Sequence, residues 1–208
     1  LPRHYRRQRQ MCIRDRLLVL NMGCGTVGTT IISPALSSIT EQFSVDKTDS
    51  QSLLSVYFIS LAFFQLFYGV LSDRYGRRQP LFVGLTTLAL GGLIAALAES
   101  FEILILARIL QGFGAASVYS IIRAIINDSY DRLESASALA LITGIMLIVP
   151  ICSFAFGGLI TDLVSWRGVM LGIFLAGLVP LVLNVILLPE TNLQPLKKVE
   201  LRNFMRDY

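Results

Sequence analysis

The chain predicts an all-α, polytopic membrane helix bundle, and three observations carry that prediction. Of its 208 residues 54% are hydrophobic and only 15% charged, against roughly 25% charged in a soluble domain. Six apolar runs are each long enough to cross a hydrocarbon core of roughly 30 Å, which takes about 20 residues at 1.5 Å per residue. The basic residues gather in alternate connections between those runs, the pattern of a chain with one consistently cytoplasmic side. Mean hydropathy is +0.65, which excludes a disordered chain, whose signature is low hydrophobicity.

The first span covers residues 17–39. Its apolar stretch exceeds the roughly 7–15 residues of a signal-peptide core and lacks a small-x-small cleavage site, so it is expected to stay in the protein. Ahead of it, residues 1–16 form a basic tail, whose run Met11-Cys12-Ile13-Arg14-Asp15-Arg16 resembles a translated sequencing-adapter remnant. The remaining spans are expected over about 51–71, 80–98, 103–122, 136–160 and 168–188. Five of the six hold no formal charge, and the fourth holds one, Arg108. An arginine at the centre of a span costs about 2.5 kcal/mol or more, so this exception is informative. The bundle is expected to end at 191, with 192–208 opening a cytoplasmic connecting loop.

Charge sets the orientation. Fifteen of the eighteen Lys and Arg residues fall in the amino tail, the 72–79 and 123–135 connections and the carboxyl tail. The opposite connections hold only Lys47 and Arg167, and Arg108 lies within a span. Both ends of the chain are therefore expected in the cytoplasm. Discounting residues 1–16 leaves that bias in place. The net charge of +4 belongs to topology and not to a nucleic-acid partner.

Several chemistries find no residues to support them. Cys12, Cys24 and Cys152 make no CxxC or metal spacing, and the single histidine, His4, sits in the basic tail. No phosphate-binding GxxxxGK[ST] loop occurs. No metal, cofactor or enzyme activity is expected. Small residues pattern for close helix packing instead: Gly168 with Gly172, and Gly112 with Ala116, make small-xxx-small steps. Pro34, Pro150 and Pro180 lie within or near spans, where neighbours can satisfy freed carbonyls. No internal repeat is visible between the first and second three spans.

The connection between spans two and three reads Gly69-Val70-Leu71-Ser72-Asp73-Arg74-Tyr75-Gly76-Arg77-Arg78. It resembles the G-x3-D-R-x-G-R-R signature of the major facilitator superfamily, in the cytoplasmic connection where that family carries it. Gly69 is expected to let a helix end approach a neighbour, and Gly76 to permit a tight reversal. The alternative is that Arg74, Arg77 and Arg78 are only topological anchors. The resemblance implies a gate, with an arginine paired to an acid at the cytoplasmic end of span four; Asp128 stands in that place for Arg77. As a screened surface pair it would contribute only about 0–1 kcal/mol.

The resemblance extends over 17–191. Span four carries Arg108-Ile109-Leu110-Gln111-Gly112-Phe113-Gly114-Ala115, similar to the family's R-x-x-Q-G-x-G-A, and span six is followed by Pro189-Glu190-Thr191. Ser33-Pro34-Ala35-Leu36 and the segment 123–128 look like the Bcr/CflA drug-resistance branch. The implied fold is the amino-terminal six-helix half of a twelve-helix transporter, with six further spans expected past Tyr208. Arg108, with Gln111, Gly112 and Gly114, is the candidate for substrate binding or ion coupling. The competing reading of Arg108 is snorkelling, since it lies about five residues from the outer end of its span.

Two departures weaken proton antiport. Span one holds Asn21, Thr26, Thr29 and Thr30 but no acid, where proton-coupled relatives often place one. Span five carries Pro150, Gly157 and Gly158, yet Ser153-Phe154 stands where the antiporter motif has Gly-Pro. Gln65, Gln111, Thr143 and Asn184 complete a sparse polar interior, beside the aromatic residues Tyr57, Phe58, Phe64 and Tyr119. Such a lining suits hydrophobic or weakly polar organic molecules, although each aromatic residue is equally compatible with core packing or lipid contact. The expected function is secondary active efflux of drugs or small organic molecules by alternating access with proton antiport, in the bacterial inner membrane. Uptake of an organic acid or sugar is the alternative within the fold. A non-transporting membrane receptor or scaffold is the alternative outside it.

Overall fold

The computed structural model describes residues 3–129 and 132–187. Helix α1 runs Arg3–Thr30, a 3-10 turn covers Ser33–Ala35, and α2 runs Leu36–Phe43. The others are α3 (Lys47–Tyr75), α4 (Arg78–Ala96), α5 (Phe101–Ser129), α6 (Arg132–Leu163) and α7 (Trp166–Leu187). Among the described residues six stretches are long and apolar enough to span a membrane: Arg16–Phe43, α3, α4, Phe101–Asp128, Ser135–Leu163 and α7. The expected all-helical membrane bundle is what the chain forms. Residues 188–208, with the Pro189-Glu190-Thr191 tripeptide and the expected loop, lie outside the described residues.

Two differences from the expected spans have physical reasons. The first span is broken: Pro34 brings no N–H to a helical ladder, and the chain passes through the turn at Ser33–Ala35 before α2 resumes. The other helices mostly run past their apolar segments because polar residues also form helix. In α3, Asp49 sits in the first turn and Arg74 in the last, each matched to the helix dipole. α3 ends at Gly76, whose φ of 86° lies where a side chain is disfavoured.

The most extensive packing joins α4 to α5, α3 to α5 and α4 to α7, while α1 packs on α6, α7 and α5. In span order, four packs on two and three, and one packs on five and six. Exchanging spans 1-2-3 with 4-5-6 maps this adjacency onto itself. Because three spans reverse the chain's direction, the exchange is an inverted repeat, carried by packing where the sequence shows none. Glycines permit the closest approaches: a methyl group on Gly114 would overlap the Leu88 backbone nitrogen, and one on Gly112 would lie 2.7 Å from the Tyr57 carbonyl oxygen. At Gly69 a methyl group would meet nothing within 4 Å among the described residues.

Candidate functional site

The family-like residues separate into three places. The first is at the end of α3. Ser72 and Asp73 lie on its last turn, Gly76 reverses the chain, and Arg77 turns back towards α3 and α5. Arg77 Nε donates to Asp128 Oδ2 at 2.8 Å, and Nη1 donates to Asp73 Oδ1 and Ser72 Oγ, both at 2.6 Å. Ser72 Oγ in turn donates to the Gly69 carbonyl. The Arg77 side chain is only 10% exposed and that of Asp128 31%, so this is a half-buried charge cluster and not the screened surface pair expected. Burial alone would lower the Arg77 pKa, but hydrogen bonds and charge from Asp128 and Asp73 outweigh it and hold it above its ordinary value. Arg74 is exposed and lies over the Tyr75 ring. Arg78 donates to the Val185 carbonyl of α7 and lies over Phe82.

The second place is the interior around Arg108, which has no exposed surface. Its guanidinium reaches two other helices, and Gln111 extends the network to a third. Nη2 donates to the Gly28 carbonyl of α1 at 3.2 Å, Nε to the Leu53 carbonyl of α3 at 3.3 Å, and the group lies 4.3 Å from the centre of the Tyr57 ring. Nη1 donates to Gln111 Oε1 at 2.6 Å, and Gln111 Nε2 donates to the Gly91 carbonyl of α4 at 3.0 Å. The side chain therefore points inward and does not snorkel. A desolvated cation over an aromatic face gains about 2 kcal/mol or more, which with these acceptors offsets part of the burial cost. Among the described residues no carboxylate pairs with Arg108, and the buried Tyr57 hydroxyl has no hydrogen-bond partner. The sequence singled out Arg108 and Gln111 but missed Gly28 and the stacking role of Tyr57, because neither has a signal apart from its neighbours.

The third place is the seam between α1 and α6. Thr30 Oγ1 donates to the Pro150 carbonyl at 3.0 Å and lies 2.7 Å from Ser153 Oγ. A methyl group on Gly157 would overlap the Ile31 carbonyl oxygen, whereas one on Gly158 would only reach ordinary contact with Pro34 at 3.9 Å. Pro150 and Gly157 thus fit α6 to the break in span one, and Ser153 serves the seam where the antiporter motif would have glycine. Deeper in the bundle, Asn21 and Asn184 exchange amide hydrogen bonds of 3.2 and 2.7 Å between α1 and α7.

A broken first span, glycine-packed helices and a charged α3–α4 connection define an integral membrane bundle of the kind from which secondary transporters are built. The profile of the Major Facilitator Superfamily matches residues 18–204, and the chain belongs to that family. It is 38% identical over 164 residues to an "uncharacterized transporter" of Rickettsia bellii, covering 78% of this chain and 40% of that protein. Multidrug resistance protein D of Escherichia coli is 32% identical over 151 residues, covering 73% and 38%. Chloramphenicol resistance protein CraA of Acinetobacter baumannii is 31% identical over 141 residues, covering 68% and 34%. The chain thus resembles the drug-resistance branch and spans about two fifths of the length of these relatives. The human organic anion transporter MFSD10 shares the fold with a TM-score of 0.69 at 19% identity, over 91% of this chain and 51% of that one.

Proposed function

We propose that this chain is the amino-terminal half of a secondary transporter that exports drug-like or small organic molecules by alternating access. The observation that carries the reading is the Arg77 cluster. One guanidinium joins the α3–α4 connection to the end of α5 through Asp73 and Asp128, which supports a cytoplasmic latch able to open and re-form. Gly69, Arg74, Gly76 and Arg78 frame that latch. Arg108 with Gln111, flanked by Gly112 and Gly114, is the interior node for substrate or coupling, and Pro150, Gly157 and Gly158 shape span five for the same cycle. Drug-resistance relatives support an organic cargo. Proton antiport needs an acid that span one lacks, so the coupling carboxylate belongs to the second half. The termini are cytoplasmic and the membrane is the bacterial inner membrane.

The full-length protein in everted vesicles tests this with chloramphenicol as probe. Export should fall about tenfold when the proton gradient is collapsed, in line with loss of the driving ion; unchanged export rules out the antiport part. In the same assay Arg108→Ala, at normal membrane levels, should cut export at least about tenfold. Normal export would remove Arg108 from the transport machinery.

A further inference from the structure

The short helix α2 and the start of α3 form a cleft that neither the Arg77 latch nor the Arg108 node uses. The chain reverses between them after Ser44, whose φ of 52° is left-handed, and α3 begins at Lys47. The cleft has a volume of about 420 Å³, within the roughly 300–1,000 Å³ of small-molecule sites. Leu36, Thr40 and Glu41 line it from α2, and Lys47, Ser50 and Gln51 line it from α3. Residues three and four apart share a helix face, so each wall presents one stripe of side chains.

Both walls are tied down. Thr40 Oγ1 donates to Ser50 Oγ at 2.8 Å, and Ser50 Oγ donates to the Lys47 carbonyl at 3.0 Å. Ser50 is buried, so this hydroxyl pair closes the base of the cleft. At the end of α2, Trp166 Nε1 donates to Gln42 Oε1 at 2.5 Å, and its ring packs on Phe43 with centroids 5.7 Å apart. Arg167 lies over the Trp166 ring and donates to Gln42 and to the Ala98 carbonyl. This Trp166 cluster ties the end of α2 to α7. The charged groups of the cleft differ from these. Glu41, Lys47 and Gln51 are exposed, and among the described residues none of the three side chains makes an ion pair or a hydrogen bond.

A carboxylate and an ammonium therefore line one cleft without neutralising each other. A ligand with a single charge is attracted by one and repelled by the other, and the two effects largely cancel. A ligand that carries both charges can turn so that each meets its opposite. Gln51 adds a donor and an acceptor beside them, and Leu36 offers apolar contact. We infer that this cleft is a binding site for zwitterionic small organic molecules, with the cationic group on Glu41 and the anionic group on Lys47. The charge bias predicts it on the outer side of the membrane, where an exporter releases its cargo. The inference deepens the transport reading by naming a charge class of ligand at that mouth; it rests on that reading for the role and not for the binding.

Fluorescence anisotropy of the full-length protein, in nanodiscs of neutral phosphatidylcholine, tests binding without transport. Three probes share one fluorophore: Nε-dansyl-lysine is a zwitterion, dansylcadaverine a cation and dansylglycine an anion. The zwitterion should bind at least about tenfold more tightly than either of the others. Glu41→Gln and Lys47→Gln should each weaken its binding about tenfold. Exchanging the charges, Glu41→Lys with Lys47→Glu, should restore binding to within about threefold, because a zwitterion can enter the other way round. Equal affinity for the three probes overturns the inference, and so does zwitterion binding that survives both single substitutions. Failure of the exchanged pair to restore binding overturns it as well, since the loss then comes from altered structure and not from charge. Zwitterion selectivity in a protein that exports nothing would support the site while removing the transport reading.

Discussion

Arg77 and Arg108 show how burial changes what an arginine can do. Arg77 is held near the surface by two carboxylates and a hydroxyl, and most of its side chain is withdrawn from water. A charge-assisted hydrogen bond in such a place contributes about 1.5–3 kcal/mol, above the 0–1 kcal/mol of an exposed pair. A double-mutant cycle of Arg77→Ala and Asp128→Ala, read by thermal unfolding of the purified protein, should therefore show a coupling of about 1–3 kcal/mol. A coupling of zero would return the pair to the surface class. Arg108 has no such partner and is held by carbonyls, an amide and a ring. Its isolation in an apolar span made it legible in the sequence. Its partners were not, since backbone carbonyls carry no residue code.

The helices differ in what sets their positions. Gly114 lies where α5 meets the α4 backbone at Gly84 and Leu88, so even one methyl group must push two helices apart. Gly114→Val should lower stability by about 1–3 kcal/mol, the usual cost of overpacking, whereas Gly69→Ala should change it by less than about 0.5 kcal/mol, as at an open surface site. Comparison of their unfolding temperatures checks this; a harmless Gly114→Val would mean the α4–α5 contact is looser than its geometry. Sequence spacing marked Gly112 as a packing residue and the connection motif marked Gly69, which meets no neighbour among the described residues, while Gly114 entered only as a candidate site residue. A small residue states what a position permits, and only the neighbouring helix says whether the room is used. The break in span one was likewise visible as Pro34, but not as a separation into two helices.

Across the molecule, the helix adjacency repeats itself with the second three spans inverted on the first. The packing is uneven, however: α3, α4, α5 and α7 make the dense part, and α6 lies largely outside it. The charge bias predicts the Arg77 cluster inside the cell and the Trp166 cluster outside. An impermeant thiol reagent applied to intact cells should accordingly label Lys47→Cys and Val164→Cys but not Arg74→Cys in the full-length protein. Labelling of Arg74→Cys alone would reverse the orientation.

Residue order was enough to establish the membrane class, the number of apolar spans and the family-like charged connection, because hydropathy, charge bias and motif spacing are properties of the chain itself. Helix ends, the division of span one and the partners of Arg77, Arg108 and Trp166 depended on the tertiary structure. Those features arise where distant segments meet, as when Gly28, Leu53 and Gln111 converge on one arginine and Gln111 passes the network to Gly91. Six helices spanning the same membrane can be packed in many orders with equal hydrophobic burial; close backbone contact at glycines and satisfaction of buried polar groups select among them.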